Sequence, residues 1–273
     1  MDALATVAFY LGVIAYSAAC TLFFLDLARQ GAPLSRSTWG PRVLSAAALL
    51  HTTHVITASL VSNHCPVESL HFVLSFSALV AVAAFLLLRR FASLDALGVI
   101  VAPVALTFLV GAQFVGVEVS QDPLISRPLL VMHVTANVLG VGLFVVAGAA
   151  SLLFLVLERR LQTKRGAGLG SRLPSLDTLD GAMHRLLMSG FPLLTFGVVT
   201  GALFSRHLED ASGAALARTL FGFLTWIVLA SVLLLRRIAG VRGRRAAYGT
   251  LAGVLCVLLV VVVYAVRPGG HGS

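Results

Sequence analysis

Long runs of hydrophobic residues, separated by short polar segments, dominate this chain. Eight runs are long enough, at about 1.5 Å of helix rise per residue, to cross roughly 30 Å of hydrocarbon. Lipid tolerates only helices or closed barrels, and runs of this length exclude barrel strands. The pattern therefore predicts an all-α polytopic transmembrane helical bundle forming a single integral membrane domain over 1–273. The eight predicted spans are 4–26, 43–62, 70–88, 94–115, 129–157, 186–204, 217–235 and 247–266.

The composition excludes a soluble globular protein. Hydrophobic residues make up 58% of the chain, charged residues only 11%, and the mean hydropathy is +0.97. The net charge of +9 would suggest a nucleic-acid partner in a soluble protein, but in a membrane chain basic residues set the orientation, so no nucleic acid is predicted. Cys20, Cys65 and Cys256 are far apart and form no C-x-x-C, which indicates neither a disulfide framework nor a thiol redox motif.

The basic residues are distributed unequally between the two sides of the predicted bundle. Sixteen of the 20 lie in or near the loops that follow spans one, three, five and seven. Cytoplasmic loops retain Lys and Arg, so this side is predicted to be cytoplasmic and both termini external. The opposite side holds only Arg127, Arg206, Arg218 and Arg267.

The longest basic loop, 158–185, leads into the sixth span. Its second half, from Ser175 to Met188, is predicted to form a short amphipathic helix capped by Ser175 and lying on the cytoplasmic surface. In the sixth span Gly197 and Gly201 form a G-x-x-x-G pair, which we interpret as packing within the chain in preference to a dimer face. The predicted apolar face of the amphipathic helix consists of Leu176, Leu179, Met183, Leu186 and Leu187.

Two histidines, His51 and His54, lie near the middle of span two and on one side of its helix, because they are three residues apart. Ionisable groups inside a membrane are candidate functional sites. Two interpretations stay open: they are ligands of a cofactor at mid-depth, or neutral rings hydrogen-bonded to neighbouring threonines or to another helix. The outer loop 63–71 contains His64, Cys65, Glu68 and His71, a set that could bind a transition metal. Because their spacing matches no established metal site, we interpret them as solvated loop residues.

Two further histidines are predicted on the external side, His133 at the entry of span five and His271 after span eight. Two helix ends can bring ring nitrogens to about 4 Å from each other, the separation needed for axial ligation of one haem iron. The alternative for His271 is a tail residue with no ligand role.

Several segments together resemble the cytochrome c assembly membrane proteins, which include the haem-handling CcsA/ResC proteins and the smaller HemX-like and YpjD-like relatives. The likeness extends from roughly Leu70 onward and is most specific in the GFPLLT stretch. The matching segments are Leu176-Asp177-Thr178-Leu179-Asp180, His184-Arg185-Leu186, Gly190-Phe191-Pro192-Leu193-Leu194-Thr195-Phe196-Gly197, Thr200-Gly201, Met132-His133-Val134 and Leu224-Thr225-Trp226.

The chain departs from the family pattern at two places, and its length, its eight spans and the first of these departures favour the HemX-like branch. The family's tryptophan-rich signature belongs between spans six and seven, but residues 205–217 contain no tryptophan. Leu234 stands where the family has a histidine on the cytoplasmic side.

The resemblance implies that haem is held at the external face, with His133 and His271 as the axial ligands of its iron. It implies a haem-handling protein of the bacterial plasma membrane that assists cytochrome c maturation with other assembly subunits, and not an enzyme. Arg127, Arg206 and Arg218 are candidates to pair with haem propionates, since Arg makes bidentate contacts to carboxylates, or else they anchor helices at the interface.

Two other functions remain open. The chain is a regulator or scaffold that contacts a soluble haem-biosynthesis enzyme through the 158–185 loop, or it is a small-molecule permease. A permease would use His51 and His54 together with helix interruptions at Pro103 and Pro192.

Overall fold

The computed structural model describes residues 2–28, 39–62, 69–91, 94–115, 127–163, 174–205 and 213–265. These residues form eight α-helices and one short 3-10 turn, Asp95–Leu97, and all eight helical regions are long and apolar enough to cross a membrane. The predicted all-α architecture with eight spans is confirmed. The helices are α1 (Asp2–Ala28), α2 (Trp39–Ser62), α3 (Leu70–Phe91), α4 (Gly98–Ala112), α5 (Arg127–Gln162), α6 (Leu176–Ser205), α7 (Gly213–Ile238) and α8 (Arg244–Ala265).

The helices pack as two groups of four. Helices α1–α4 contact one another, α5–α8 contact one another, and α3 and α5 form the main contact between the groups. Successive helices run in opposite directions, so α1, α3, α5 and α7 begin at one face, which we call the N-terminal face, and end at the opposite face. Helix α5 is the most buried of the eight because it packs against α3, α6 and α8.

Helix α6 corrects one prediction about the chain's surface. Ser175 caps it as predicted, since its hydroxyl accepts a hydrogen bond from the backbone N–H of Thr178 (3.1 Å). However, the helix continues from Leu176 to Ser205 through Pro192, so the amphipathic segment is the first half of the sixth span and no separate surface helix. Four of its five apolar side chains are buried in the protein core, where Leu179 is fully enclosed, and Leu176 packs against that core partly buried.

The prolines do not interrupt their helices. Pro103 lies inside α4 and Pro192 inside α6, and both helices continue past them. The broken helices that a transporter uses to expose backbone groups to its substrate are therefore not found at these two positions.

An ion pair joins three helices near the opposite face. The guanidinium of Arg236, at the end of α7, donates to both carboxylate oxygens of Asp180 in α6, with Nη1 2.9 Å from Oδ1. The backbone N–H of Gly243 donates to the same Oδ1 (2.9 Å). Gly243 has φ +63°, a conformation that glycine adopts without steric cost, so it can begin the tight entry into α8.

Candidate functional site

The α5–α6 contact is built on three glycines of α6. Gly190, Gly197 and Gly201 face Phe144, Asn137 and His133 of α5, respectively. The three glycines are separated by seven and then four residues along α6. Their three partners have the same separations along α5 in the reverse direction, so each glycine meets one partner. The predicted G-x-x-x-G packing within the chain is confirmed.

The glycines make room for polar side chains inside the bundle. A methyl group on Gly201 would lie 3.4 Å from Cε1 of His133, and one on Gly197 would collide with the Asn137 amide. Both imidazole nitrogens of His133 can therefore reach partners on α5 and α6 that bulkier residues would exclude. The small residues of the motif thus create a polar pocket at a helix interface, where small residues let backbones approach closely.

His133 has a hydrogen-bond partner at each ring nitrogen. Its Nδ1 lies 2.6 Å from the Thr200 hydroxyl, and its Nε2 lies 3.1 Å from Nδ2 of Asn137. The Thr200 hydroxyl donates its own proton to the carbonyl of Phe196 (2.7 Å), so it is placed to accept from His133. This assignment gives a neutral ring with the proton on Nδ1 and the lone pair on Nε2.

The Nε2 lone pair is the ligand atom that this arrangement offers. A histidine that binds a metal usually donates its other ring N–H to a fixed acceptor, which sets the tautomer and the ring orientation. Thr200 supplies that acceptor. Asn137 occupies Nε2 through a neutral amide N–H, which must move before the nitrogen can coordinate a metal. The ring is further held by Phe204, whose centroid lies 5.2 Å away in an edge-on arrangement.

A second polar contact extends the site towards α7. Nε1 of Trp226 donates to the Thr195 hydroxyl (3.0 Å), and the indole stacks on Phe191 at a centroid distance of 5.7 Å. These contacts involve Phe191 and Thr195 of the GFPLLT segment, whose first residue, Gly190, packs against Phe144 of α5. The motif fixes α6 against both of its neighbours.

Several predicted site residues cannot be located in relation to His133. His271 and Arg206 lie outside the described residues. Arg127 and Arg218 belong to α5 and α7, but their side chains are outside the described part of the chain. The pairing of His133 with His271 and the propionate contacts therefore stay predictions.

His51 and His54 lie in the other half of the bundle and are buried, with 0% and 6% exposure. Nδ1 of His54 donates to the carbonyl of Ala5 in α1 (2.9 Å), and Nδ1 of His51 lies 3.3 Å from the hydroxyl of Tyr16. The neighbouring threonines bond to their own helix instead, as when Thr57 donates to the carbonyl of Thr53. Hydrogen bonds to another helix, which one of the two open interpretations requires, are therefore present. The interpretation of His51 and His54 as cofactor ligands stays a prediction.

The prediction of a solvated His71 is wrong. His71 lies in the first turn of α3, is 7% exposed, and donates from Nδ1 to the carbonyl of Ala112 at the end of α4 (2.8 Å). The ring centroids of His54 and His71 are 6.3 Å apart. One signal for this contact is visible in the sequence, a histidine directly before the long apolar run of α3. The other members of the predicted outer loop lie outside the described residues, namely His64, Cys65 and Glu68.

The two histidine groups lie at similar depth. Gly142 of α5 packs against Val80 of α3, and the two helices run in the same direction. His133 and His71 each precede this contact by nine residues, which is about 13 Å of helix. Both groups therefore lie towards the N-terminal face, one in each half of the bundle.

The sequence is similar to one known protein family over most of its length. Residues 39–269 match the family described as cytochrome C assembly protein. Similar proteins include Protein HemX of Brevibacillus brevis, 28% identical over 199 residues that cover 72% of each chain. The CcsA cytochrome c biogenesis protein of Guillardia theta is 27% identical, with 72% of each chain covered, and that of Gloeobacter violaceus is 26% identical, covering 77% of this chain and 78% of the relative. No solved structure matches significantly.

Proposed function

Because this chain belongs to the cytochrome c assembly protein family, we propose that it is a multi-pass membrane protein that handles haem during cytochrome c maturation. The observation that carries the proposal is the hydrogen bonding of His133, whose Nδ1 is fixed by Thr200 while Nε2 holds the lone pair. The curated relatives named CcsA are cytochrome c biogenesis proteins, which supports the same role.

His133 is the first haem-iron ligand in this proposal. Histidine binds haem iron through one nitrogen of a neutral imidazole. The hydrogen bond from Nδ1 of His133 to Thr200 leaves Nε2 as that nitrogen. Haem, when bound, would supply an iron that binds imidazole nitrogen, and His133 and His271 would hold it. The chain holds the ring between α5 and α6 and presents Nε2 near the N-terminal face.

His271 is the proposed second ligand. The matched region includes His133 and ends two residues before His271. Arg127, Arg206 and Arg218 are the proposed partners of the haem propionates, since all three belong to the same side of the predicted topology as His133. The role is delivery of a cofactor, with other assembly subunits as partners, and involves no catalysis by the chain itself.

The proposed location is a bacterial plasma membrane with both termini outside. The excess of basic residues on the opposite side supports this orientation. It places His133, the end of α8 and the proposed arginines on the external side, where a cytochrome c apoprotein receives haem.

A second candidate function is regulation of haem synthesis through the basic 158–185 loop. One observation favours it: residues 205–217 contain no tryptophan, so the chain lacks the tryptophan-rich signature of the haem-holding family members. In that case a soluble haem-biosynthesis enzyme is the partner, and deletion of the loop abolishes function whereas His133→Ala does not.

The test is the visible spectrum of the detergent-purified protein after reconstitution with haem. We expect a Soret band characteristic of two nitrogen ligands, which weakens in both His133→Ala and His271→Ala. His184→Ala is the matched control because His184 lies in the first half of α6, towards the opposite face. A wild-type protein without a Soret band, or a band unchanged in both variants, would overturn the proposal.

A further inference from the structure

The first half of the bundle holds a second group of histidines that haem handling by His133 does not use. Three imidazoles, His51, His54 and His71, are at least nine-tenths buried, and the ring centroids of His54 and His71 lie 6.3 Å apart. They come from α2 and α3. A fourth polar side chain, Gln113 at the exposed end of α4, reaches the same cluster.

The backbone fixes the tautomers of two of these rings. Nδ1 of His54 donates to the carbonyl of Ala5, and Nδ1 of His71 donates to the carbonyl of Ala112. A carbonyl can only accept, so each Nδ1 carries the proton and each neutral ring has its lone pair on Nε2. This is the orientation in which proteins present histidine to a metal.

The spacing of the two rings suits one shared ion. A metal about 2.0 Å from each of two imidazole nitrogens on opposite sides places the ring centres roughly 6 Å apart. The His54 and His71 centroids are separated by 6.3 Å. Nε2 of His54 accepts a hydrogen bond from the Gln113 amide (3.3 Å), a neutral partner that an ion can displace from the exposed side.

The chemistry of the cluster selects the ion. The described residues offer this ion two imidazoles, fewer than the four ligands that zinc prefers. Both donors are neutral, and a divalent ion would bring two uncompensated charges into a low-dielectric interior. Monovalent copper accepts two nitrogen donors and brings one charge.

The third imidazole shows that the cluster is more polar than packing requires. Nε2 of His51 is buried and has no hydrogen-bond partner among the described atoms, although Nδ1 contacts Tyr16. An unsatisfied buried polar atom costs about 1–3 kcal/mol. An apolar residue at this position would avoid that cost.

We propose that His54 and His71 form a binding site for one monovalent copper ion, separate from the haem site at His133, with Gln113 as the group that leaves when the ion enters. The site lies near the N-terminal face, at a depth similar to that of His133.

The test is a competition for copper under anaerobic, reducing conditions. The full-length protein in detergent is titrated against a chromophoric chelator of monovalent copper. We expect the wild type to retain one equivalent. His54→Asn and His71→Asn should each bind at least tenfold more weakly, because the Asn amide replaces the Nδ1–H donor to the backbone carbonyl but offers no nitrogen lone pair. Equal binding by these variants, or no binding by the wild type, overturns the site.

Three controls distinguish this site from copper binding elsewhere in the chain. His133→Asn and His184→Asn should retain copper, whereas His54→Asn and His71→Asn should retain the haem Soret band, so the two sites can fail independently. Loss of copper in Cys65→Ser with full binding in both His variants would assign the ion to the cysteine and overturn the proposal. Zinc bound as tightly as copper by the same histidines would overturn the choice of ion.

X-ray absorption of the copper-loaded wild type tests the ligands without any substitution. Two nitrogen donors are expected. Sulfur scattering would contradict the site even if the histidine variants did not fold.

Discussion

The hydroxyl of Thr200 lies 2.6 Å from Nδ1 of His133 and donates its proton to the carbonyl of Phe196. This contact joins α5 to α6 and decides which nitrogen of His133 holds the lone pair. It also explains why a threonine follows Gly197 by three residues, since that position faces the ring. The orientation of the proposed haem ligand therefore depends on the helix that carries the GFPLLT motif.

Replacement of Thr200 by valine should weaken haem binding while preserving the shape of the residue. The lost acceptor frees the His133 ring to reorient, and loss of such a partner costs about 10–100-fold in metal affinity. Haem titration followed by the Soret band measures the effect. Thr195→Val is the control, because Thr195 contacts Trp226 and not His133. Equal losses in the two variants would show that α6 packing, and not the Nδ1 contact, controls the affinity.

Replacement of Asn137 by alanine should strengthen haem binding. The Asn137 amide occupies Nε2 of His133, and removal of one neutral hydrogen bond worth about 1 kcal/mol corresponds to roughly fivefold tighter binding. The measurement is the haem dissociation constant. A weaker affinity would instead indicate that Asn137 holds the ring in its binding orientation.

A methyl group at Gly197 should force α5 and α6 apart. The added carbon collides with the Asn137 side chain, and overpacking of this kind costs about 1–3 kcal/mol. Thermal unfolding in detergent should show a Tm several degrees lower. Gly222→Ala in α7 is the matched control, since a Cβ there meets nothing within 4 Å. Similar shifts in the two variants would mean that helix propensity, not this contact, sets the stability.

Asp180→Asn should destabilise the protein by about 2 kcal/mol, because it leaves Arg236 without its charged partner in a largely buried pair. The exposed residue Asp177, one turn earlier, provides the control: Asp177→Asn should change stability by less than about 0.5 kcal/mol. The double variant of Asp180 and Arg236 should lose less than the sum of the single losses. Additive losses would show that the two side chains act independently.

The orientation predicts which side chains a membrane-impermeant thiol reagent reaches. In a chain without its native cysteines, Gly272→Cys should be labelled in intact cells, and Thr163→Cys only after permeabilisation. Thr163 lies at the end of the described part of the basic loop and is exposed. The reverse pattern would place the termini in the cytoplasm and contradict delivery of haem to the external side.

Part of the candidate site follows from local sequence. His133 is predictable because it stands at the entry of an apolar run, and the spacing of Gly197 and Gly201 indicates a close helix contact. The partners of His133 do not follow in the same way. Thr200 is 67 residues away along the chain, and nothing in its own helix shows that it faces α5.

The run lengths alone determined the eight helices, since each must span the hydrocarbon with its backbone groups paired internally. Charge asymmetry supplied the expected orientation. Only the tertiary structure decided that His71 is buried beside His54 and that Asp180 meets Arg236. The physical reason is that membrane helices are apolar on every side, so the hydrophobic pattern does not reveal which face packs against a neighbour.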